Sequence, residues 1–386
     1  MKKLIIIGSG FGGISLLLNL KKFCKNNKNL EIFLISKTNN FLFTPLLHEA
    51  IIDEVSIDNI SYSIKELSKE IKNFSFIQDE VENIDFEEKK VFTYQNEYEY
   101  DYLVVSVGSE ANFYENTQFK DKVFTLKSIK DYEKIKNKLE ENKTKNLDIV
   151  VVGGGATGVE IIGSLSDVTP KNINLYLFEL SDNILNELNN KELSNIAIEK
   201  ITQKGINIKL LHEIKEINDN SIVSYDKQKD EYLYINTDFI IWTAGIKPSR
   251  LINKFDLKKD KKGRVLVDSY LNIPNDPNVF FMGDCAKVDS DEEEYTTAQN
   301  AVQQADIVAH NIYAKINFFS FSKKFKYIHQ GSLISIGKGF AISDLYGVIF
   351  TGYSGWFIWK AIHLLKLINN KNRKDVLFDW IRSFRY

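Results

Sequence analysis

Two glycine patterns of the same kind occur in the chain, Gly8-Ser9-Gly10-Phe11-Gly12-Gly13 and Gly153-Gly154-Gly155-Ala156-Thr157-Gly158, 145 positions apart (153 minus 8). Each closes an apolar run, Leu4 to Ile7 and Ile149 to Val152. In a strand-turn-helix unit the first glycine makes a tight turn and the second lets a pyrophosphate approach the backbone. The third packs helix on strand, and the phosphates settle on the helix N-terminus. Two such units predict two dinucleotides on one chain, and hence electron transfer between them.

Other residues refine that chemistry. The second strand of each unit ends where a carboxylate can accept from ribose hydroxyls. In the second unit this is Glu179, whose charge also repels a 2′-phosphate and so favours NADH over NADPH. In the first unit it is Ser36, a neutral partner worth about 0.5–1.5 kcal/mol against about 1.5–3 for a charged one. Asp284, after the apolar run Val279 to Met282, is placed to hydrogen-bond the ribityl or phosphate-bridging groups of a flavin nucleotide. Glu160 lies in the first turn of the second glycine helix. It is read equally as a partner or proton relay for a nicotinamide and as an acid favoured at a positive helix end. Gln299 and Gln303 share one helix face at i,i+4, beside small alanines, and can line a narrow slot for carbonyl oxygens.

The elements that position these residues alternate strand and helix. Residues 1–36 read β-α-β, and the uncharged stretch Leu4 to Leu20 is a buried strand and helix rather than a leader, because glycines break it. A buried strand from Tyr102 runs into Gly108, and the second β-α-β unit spans about 146–179. Buried strands end at Ala244-Gly245 and at Gly283-Asp284, and a helix follows over 297–316. The fold class is therefore α/β, with two Rossmann-like dinucleotide-binding domains, the second inserted in the first, and a C-terminal amphipathic region. At 386 residues, 44% apolar and 26% charged, the chain is long enough for two or three domains. A net charge of −2 gives no footprint for nucleic acid. The two cysteines, Cys24 and Cys285, and the five histidines have no metal-site or dithiol spacing, so no metal is expected.

From Tyr353 onward seven Lys/Arg face two Asp, and three of the four tryptophans lie here. Lys360, His363 and Lys366 recur along one side of an otherwise apolar stretch, and 376, 377, 380, 381 and 384 form a second apolar stripe. This predicts interfacial helices on an anionic membrane surface, too short in apolar run to span it. The competing seat for the same stripes is the protein's own core or a second copy in a homodimer.

Together these residues resemble a type II NADH:quinone oxidoreductase, the non-pumping respiratory NADH dehydrogenase. The resemblance rests on Phe43-Thr44-Pro45-Leu46-Leu47, Ile241-Trp242-Thr243-Ala244-Gly245, Gly283-Asp284-Cys285-Ala286, the Ala298-Gln299 to Gln303-Gln304 segment and the aromatic-basic tail. It implies FAD on Gly8, Gly10, Gly13, Ser36, Gly108 and Asp284, with Thr44 and Pro45 near the flavin ring. It implies NADH on Gly153, Gly155, Gly158, Glu160 and Glu179, with Ala244 and Gly245 near the nicotinamide. A membrane quinone, ubiquinone or menaquinone, would enter beside Gln299, Gln303, Gln304 and His48. On this resemblance 1–113 and 260–325 form the FAD-binding domain, 114–259 the NADH-binding domain and 326–386 the membrane-association region. The enzyme would sit peripherally on the cytoplasmic face of the cell inner membrane. Three residues depart from the pattern: Ser36 replaces an acid, His48 a tyrosine, and Gln330 a lysine. Sulfide:quinone oxidoreductases need flavin-side cysteines, which the chain lacks. A signalling flavoprotein like apoptosis-inducing factor needs no glutamine slot.

Overall fold

The computed structural model describes residues 1–23, 29–142, 146–168, 173–290 and 296–383. Cys24, most of the acidic run 289–294 and residues 384–386 lie outside them. The chain divides into two compact units, Met1–Leu42 with Ser61–Glu110 and Ile246–Ile328, and Phe43–Ile60 with Ala111–Gly245 and His329–Tyr386.

The first unit is built on a six-stranded sheet in the order Asn272–Ile273, Asp276–Phe281, Tyr102–Val105, Lys2–Ile7, Leu30–Ser36, Phe74–Gln78. Lys2–Ile7 lies centrally, parallel to both neighbours, with Ile7 opposite Ile35 and Val105. Its apolar run is buried on both faces, as a central parallel strand requires. The helices Phe11–Phe23 and Ala298–Ile316 pack together in this unit. Thr297 caps the second of these, its side chain accepting from the Asn300 amide.

The second unit repeats the plan in smaller form. Its parallel sheet runs Asn207–Lys209, Ile173–Phe178, Leu147–Val152, Phe239–Trp242. An antiparallel meander, His212–Ile217, Ser221–Asp226 and Glu231–Asn236, adds Ile214, Ile217 and Ile222 to a core with Val150, Phe178, Ile240 and Trp242. A second meander, Leu333–Ser335, Ala341–Leu345 and Val348–Thr351, leads into two tail helices, Gly352–Lys366 and Asn370–Ser383.

The tail helices correct the sequence reading in one respect. Trp356, Trp359 and Trp380 are 2%, 0% and 3% exposed, so the tryptophans face inward rather than outward. Lys360 and His363 are buried with them. The exposed side carries Tyr353, Phe357, Leu365, Leu377, Phe378 and Ile381 instead. The cause lies in the short segment Phe43–Ile60. Lys360 Nζ sits 2.8 Å from Glu49 Oε1 and 2.9 Å from Glu54 Oε1, and the Trp380 indole N–H donates to Glu49 Oε2 at 2.7 Å. The ammonium also lies 4.2 and 4.8 Å from the Trp380 and Trp356 ring centres. A buried cation needs partners of this kind. No helix among the described residues is long and apolar enough to cross a membrane.

Candidate functional site

The first unit holds the first glycine turn. Gly8 has φ +103°, and a Cβ there would lie 2.3 Å from the Ser106 carbonyl oxygen. A Cβ on Gly13 would lie 2.0 Å from the Gly8 carbonyl, so helix and strand touch through hydrogen alone. A Cβ on Gly10 would meet nothing within 4 Å, which leaves a phosphate room to approach. Ser36 Oγ lies 2.8 Å from Ser9 Oγ, tying the second strand to the turn. Asp284 accepts from the Ser109 hydroxyl at 2.6 Å, one residue beyond Gly108. This donor set, an amide-lined turn plus a hydroxyl and a carboxylate at the ends of parallel strands in one sheet, fits a flavin dinucleotide.

The three glutamines lie in the same unit, and each already has a protein partner. Gln304 is fully buried and accepts the Gly283 N–H at 2.6 Å, fixing the loop that carries Asp284. Gln303 Nε2 donates to the Ile328 carbonyl at 2.8 Å, and its Oε1 accepts the Ile328 N–H at 3.0 Å. Gln299 Oε1 accepts from the Tyr327 hydroxyl at 2.7 Å. Cys285 is buried, its thiol pushed up to about 12 by burial and directed at the Met282 carbonyl at 3.3 Å, so it is a packed residue and no nucleophile.

The second unit holds the second turn in nearly the same geometry. Gly153 has φ +110°, and a Cβ on Gly158 would lie 1.9 Å from the Gly153 carbonyl. Glu179 is held rigidly by backbone: Oε2 accepts the Gly154 N–H at 2.6 Å and Oε1 the Ser181 N–H at 2.8 Å. Each oxygen keeps a further lone pair for a ribose hydroxyl. Ala244 and Gly245 follow the strand Phe239–Trp242, where the Thr243 hydroxyl donates to the Val152 carbonyl at 2.9 Å. Thr44 and Pro45 form a 3-10 turn that is at least partly accessible, with Leu46 buried beneath it.

Glu160 and His48 come together in this unit. His48 Nδ1 lies 2.8 Å from Ser164 Oγ, one turn beyond Glu160 on the same helix. His48 Nε2 lies 3.9 Å from Glu160 Oε1 and is buried with no hydrogen-bond partner among the described residues. The pair is not ionic. Burial, and then the Lys360 charge, bring the imidazole down to about 3, while burial pushes the Glu160 carboxyl up to about 8 against the Ser335 N–H that opposes it. At neutral pH both groups are uncharged, and Glu160 retains a proton. The Trp359 ring packs 5.5 Å from His48 and 4.2 Å from His363, whose Nδ1–H donates to the Trp359 carbonyl at 2.7 Å. Burial likewise pushes Glu54 well above the usual carboxylate range.

Sequence reasoning missed Glu49, Glu54 and Ser164. The segment that carries Glu49 and Glu54 has only its apolar character to show, and Lys360 stands 311 and 306 positions away from these two partners. Ser164 lies on the second glycine helix, and its partner His48 is 116 positions away. It also missed Glu187, which lies eight residues after Glu179 and accepts the Ala156 N–H at 2.6 Å.

This architecture of paired dinucleotide folds defines a class. Residues 2–305 match the pyridine nucleotide-disulphide oxidoreductase family profile, and the chain belongs to that family. Residues 329–385 match the NDH2 C-terminal domain. The chain is 29% identical to a probable NADH dehydrogenase of Dictyostelium discoideum, over 99% of this chain and 89% of that relative. It is 28% identical to the type II NADH:quinone oxidoreductase of Staphylococcus aureus, over 94% of each. Its fold matches that of NDH2 from Plasmodium falciparum, solved in complex with NADH, with a TM-score of 0.89 at 23% identity, covering 100% of this chain and 98% of that one.

Proposed function

We propose that this chain is a type II NADH:quinone oxidoreductase, taking two electrons from NADH through FAD to a membrane quinone without pumping protons. The observation that carries the reading is the pair of glycine turns of matching geometry, only the second of which has a carboxylate, Glu179, at the end of the strand that follows it. The NDH2-type tail and the names of the relatives support it.

In this reading Gly8, Gly10, Gly13, Ser36, Gly108 and Asp284 hold FAD, with Thr44 and Pro45 against the ring. Bound FAD supplies the two-electron chemistry, as acceptor and then donor. Gly153, Gly155, Gly158 and Glu179 position NADH, and Ala244 and Gly245 border the nicotinamide. Glu160, protonated at neutral pH, offers its O–H to the carboxamide or relays a proton toward it, while neutral His48 beside it, held near 3, can accept a hydrogen bond but does not take the proton. Gln299, Gln303 and Gln304 shape the quinone side. The FAD-binding domain comprises 1–113 and 260–325, the NADH-binding domain 114–259, and the membrane-association region 326–386.

The exposed residues Phe357, Leu365, Leu377, Phe378 and Ile381, with the basic surplus of the tail, seat the enzyme peripherally on an anionic membrane. A cytoplasmic-face location fits an enzyme whose electron donor is NADH.

The test is stopped-flow mixing with NADH, followed by a soluble ubiquinone or menaquinone analogue. The yellow colour should bleach rapidly and return with the quinone. Slow bleaching, with no return on quinone addition, would favour a signalling flavoprotein.

A further inference from the structure

The amide that a pyrophosphate needs at the second turn already has a negative partner. Glu187 Oε1 accepts the Ala156 N–H at 2.6 Å, at the first residue of the helix Ala156–Val168. The same carboxylate is the nearest group to Gly155, its Oε1 3.4 Å and Oε2 3.8 Å from where a Cβ would stand. Gly155 is the glycine whose bare backbone admits phosphate in this kind of turn. Glu187 therefore lies in the anion seat, where the partial positive charge of the helix end is greatest.

The backbone around Glu187 is built to put it there. It sits in a single 3-10 turn, Asn186–Leu188, bracketed by two left-handed residues, Leu185 at φ 55° and Asn189 at φ 49°. A β-carbon disfavours that region, leucine's more than asparagine's. The Leu185 N–H donates to the Gly154 carbonyl at 2.8 Å, anchoring the loop to the glycine turn itself. A strained loop that delivers a carboxylate to an anion seat has the form of a latch.

We propose that Glu187 is an internal competitor for the dinucleotide pyrophosphate: it occupies the Ala156 amide until NADH displaces it, and it returns as NAD+ leaves. This rests on the reading of the second turn as the NADH site. Two negative groups cannot share one amide, so the latch sets dinucleotide affinity and speeds product release. It acts on the phosphates alone, and the adenosine half, held by Glu179, does not feel it.

The experiment is calorimetric titration of the flavin-loaded full chain with NAD+, with ADP-ribose and with adenosine, for the wild type, Glu187→Gln and Glu187→Ala. Both variants should bind NAD+ and ADP-ribose about tenfold more tightly at low salt, with the gain shrinking as salt screens the charge, and should bind adenosine as the wild type does. Unchanged adenosine binding also certifies that a variant is folded. Equal or weaker NAD+ binding in either folded variant would overturn the proposal, as would a gain shared by adenosine. A wild type that binds flavin but neither NAD+ nor ADP-ribose would instead overturn the underlying reading, and the latch with it.

Discussion

The two glycine turns share a backbone and differ in what surrounds it. Each starts on a glycine at φ beyond +100° and closes on a glycine whose Cβ would collide with the first glycine's carbonyl. Their neighbours diverge in charge. Where the first turn has Ser15 and Ser36, the second has Glu160 and Glu179, and Glu187 lies on its helix end. The lesson is that the glycines secure only the approach of a phosphate. On the proposed reading, which dinucleotide is held, how tightly, and with what proton beside it depends on three carboxylates that the glycine pattern does not contain.

That contrast can be broken or sharpened experimentally. The largest effect concerns Glu160. Its folded carboxyl titrates near 8 against an ordinary value of 4.5, so the native state keeps a proton that the unfolded chain releases. The Glu160 contribution to stability is therefore fully present below pH 4.5, falls as pH rises toward 8 and is lost above it, by on the order of 5 kcal/mol, while the buried His48 and His363, both held down to about 3, contribute with the opposite sign below pH 6.5. Between pH 6.5 and 8, where both histidines are mostly neutral folded or unfolded, denaturation midpoints should show a downward slope with rising pH. Glu160→Gln should flatten it, whereas Ser15→Ala at the matching position should leave it intact.

Next comes the independence of the turns. Gly158→Val should weaken NAD+ binding at least a hundredfold, about 2.7 kcal/mol, while flavin content stays normal. Gly13→Val should cost flavin instead, and loss of both ligands in either variant would dissolve the distinction. A smaller change is expected at the ribose. Glu179→Ala should narrow the preference for NADH over NADPH by about tenfold in kcat/KM, in line with one charged hydrogen bond. The smallest effect makes the turns alike: Ser36→Asp should slow flavin loss on dialysis by about fivefold, since a charged acceptor exceeds a neutral one by roughly 1 kcal/mol.

Much of this was legible in the sequence, because short-range geometry writes short-range patterns. A glycine that must turn and a strand that must be buried on both faces appear as Gly8 to Gly13 after Leu4 to Ile7. Ser36 and Glu179 could be found by counting to the end of the next strand. The tail was only half legible. Its periodicity predicted two helices correctly, yet the interfacial reading did not foresee that Lys360 and Trp359 are buried, the competing seat in the protein's own core. Burial of Lys360 depends on Glu49 and Glu54, and no local pattern announces a partner some three hundred residues away. The glutamines show the opposite limit: their spacing was plain, but the buried position of Gln304 under Gly283 follows from tertiary packing.

The clamp of Lys360 between two carboxylates and two indoles fixes the tail helices against the chain that bears them. They arrive at any receiving surface as a finished plate rather than as a segment that must first coil. Adsorption should therefore leave the far-ultraviolet dichroism unchanged and proceed in a single kinetic phase, without the ordering cost that peptides folding on contact incur.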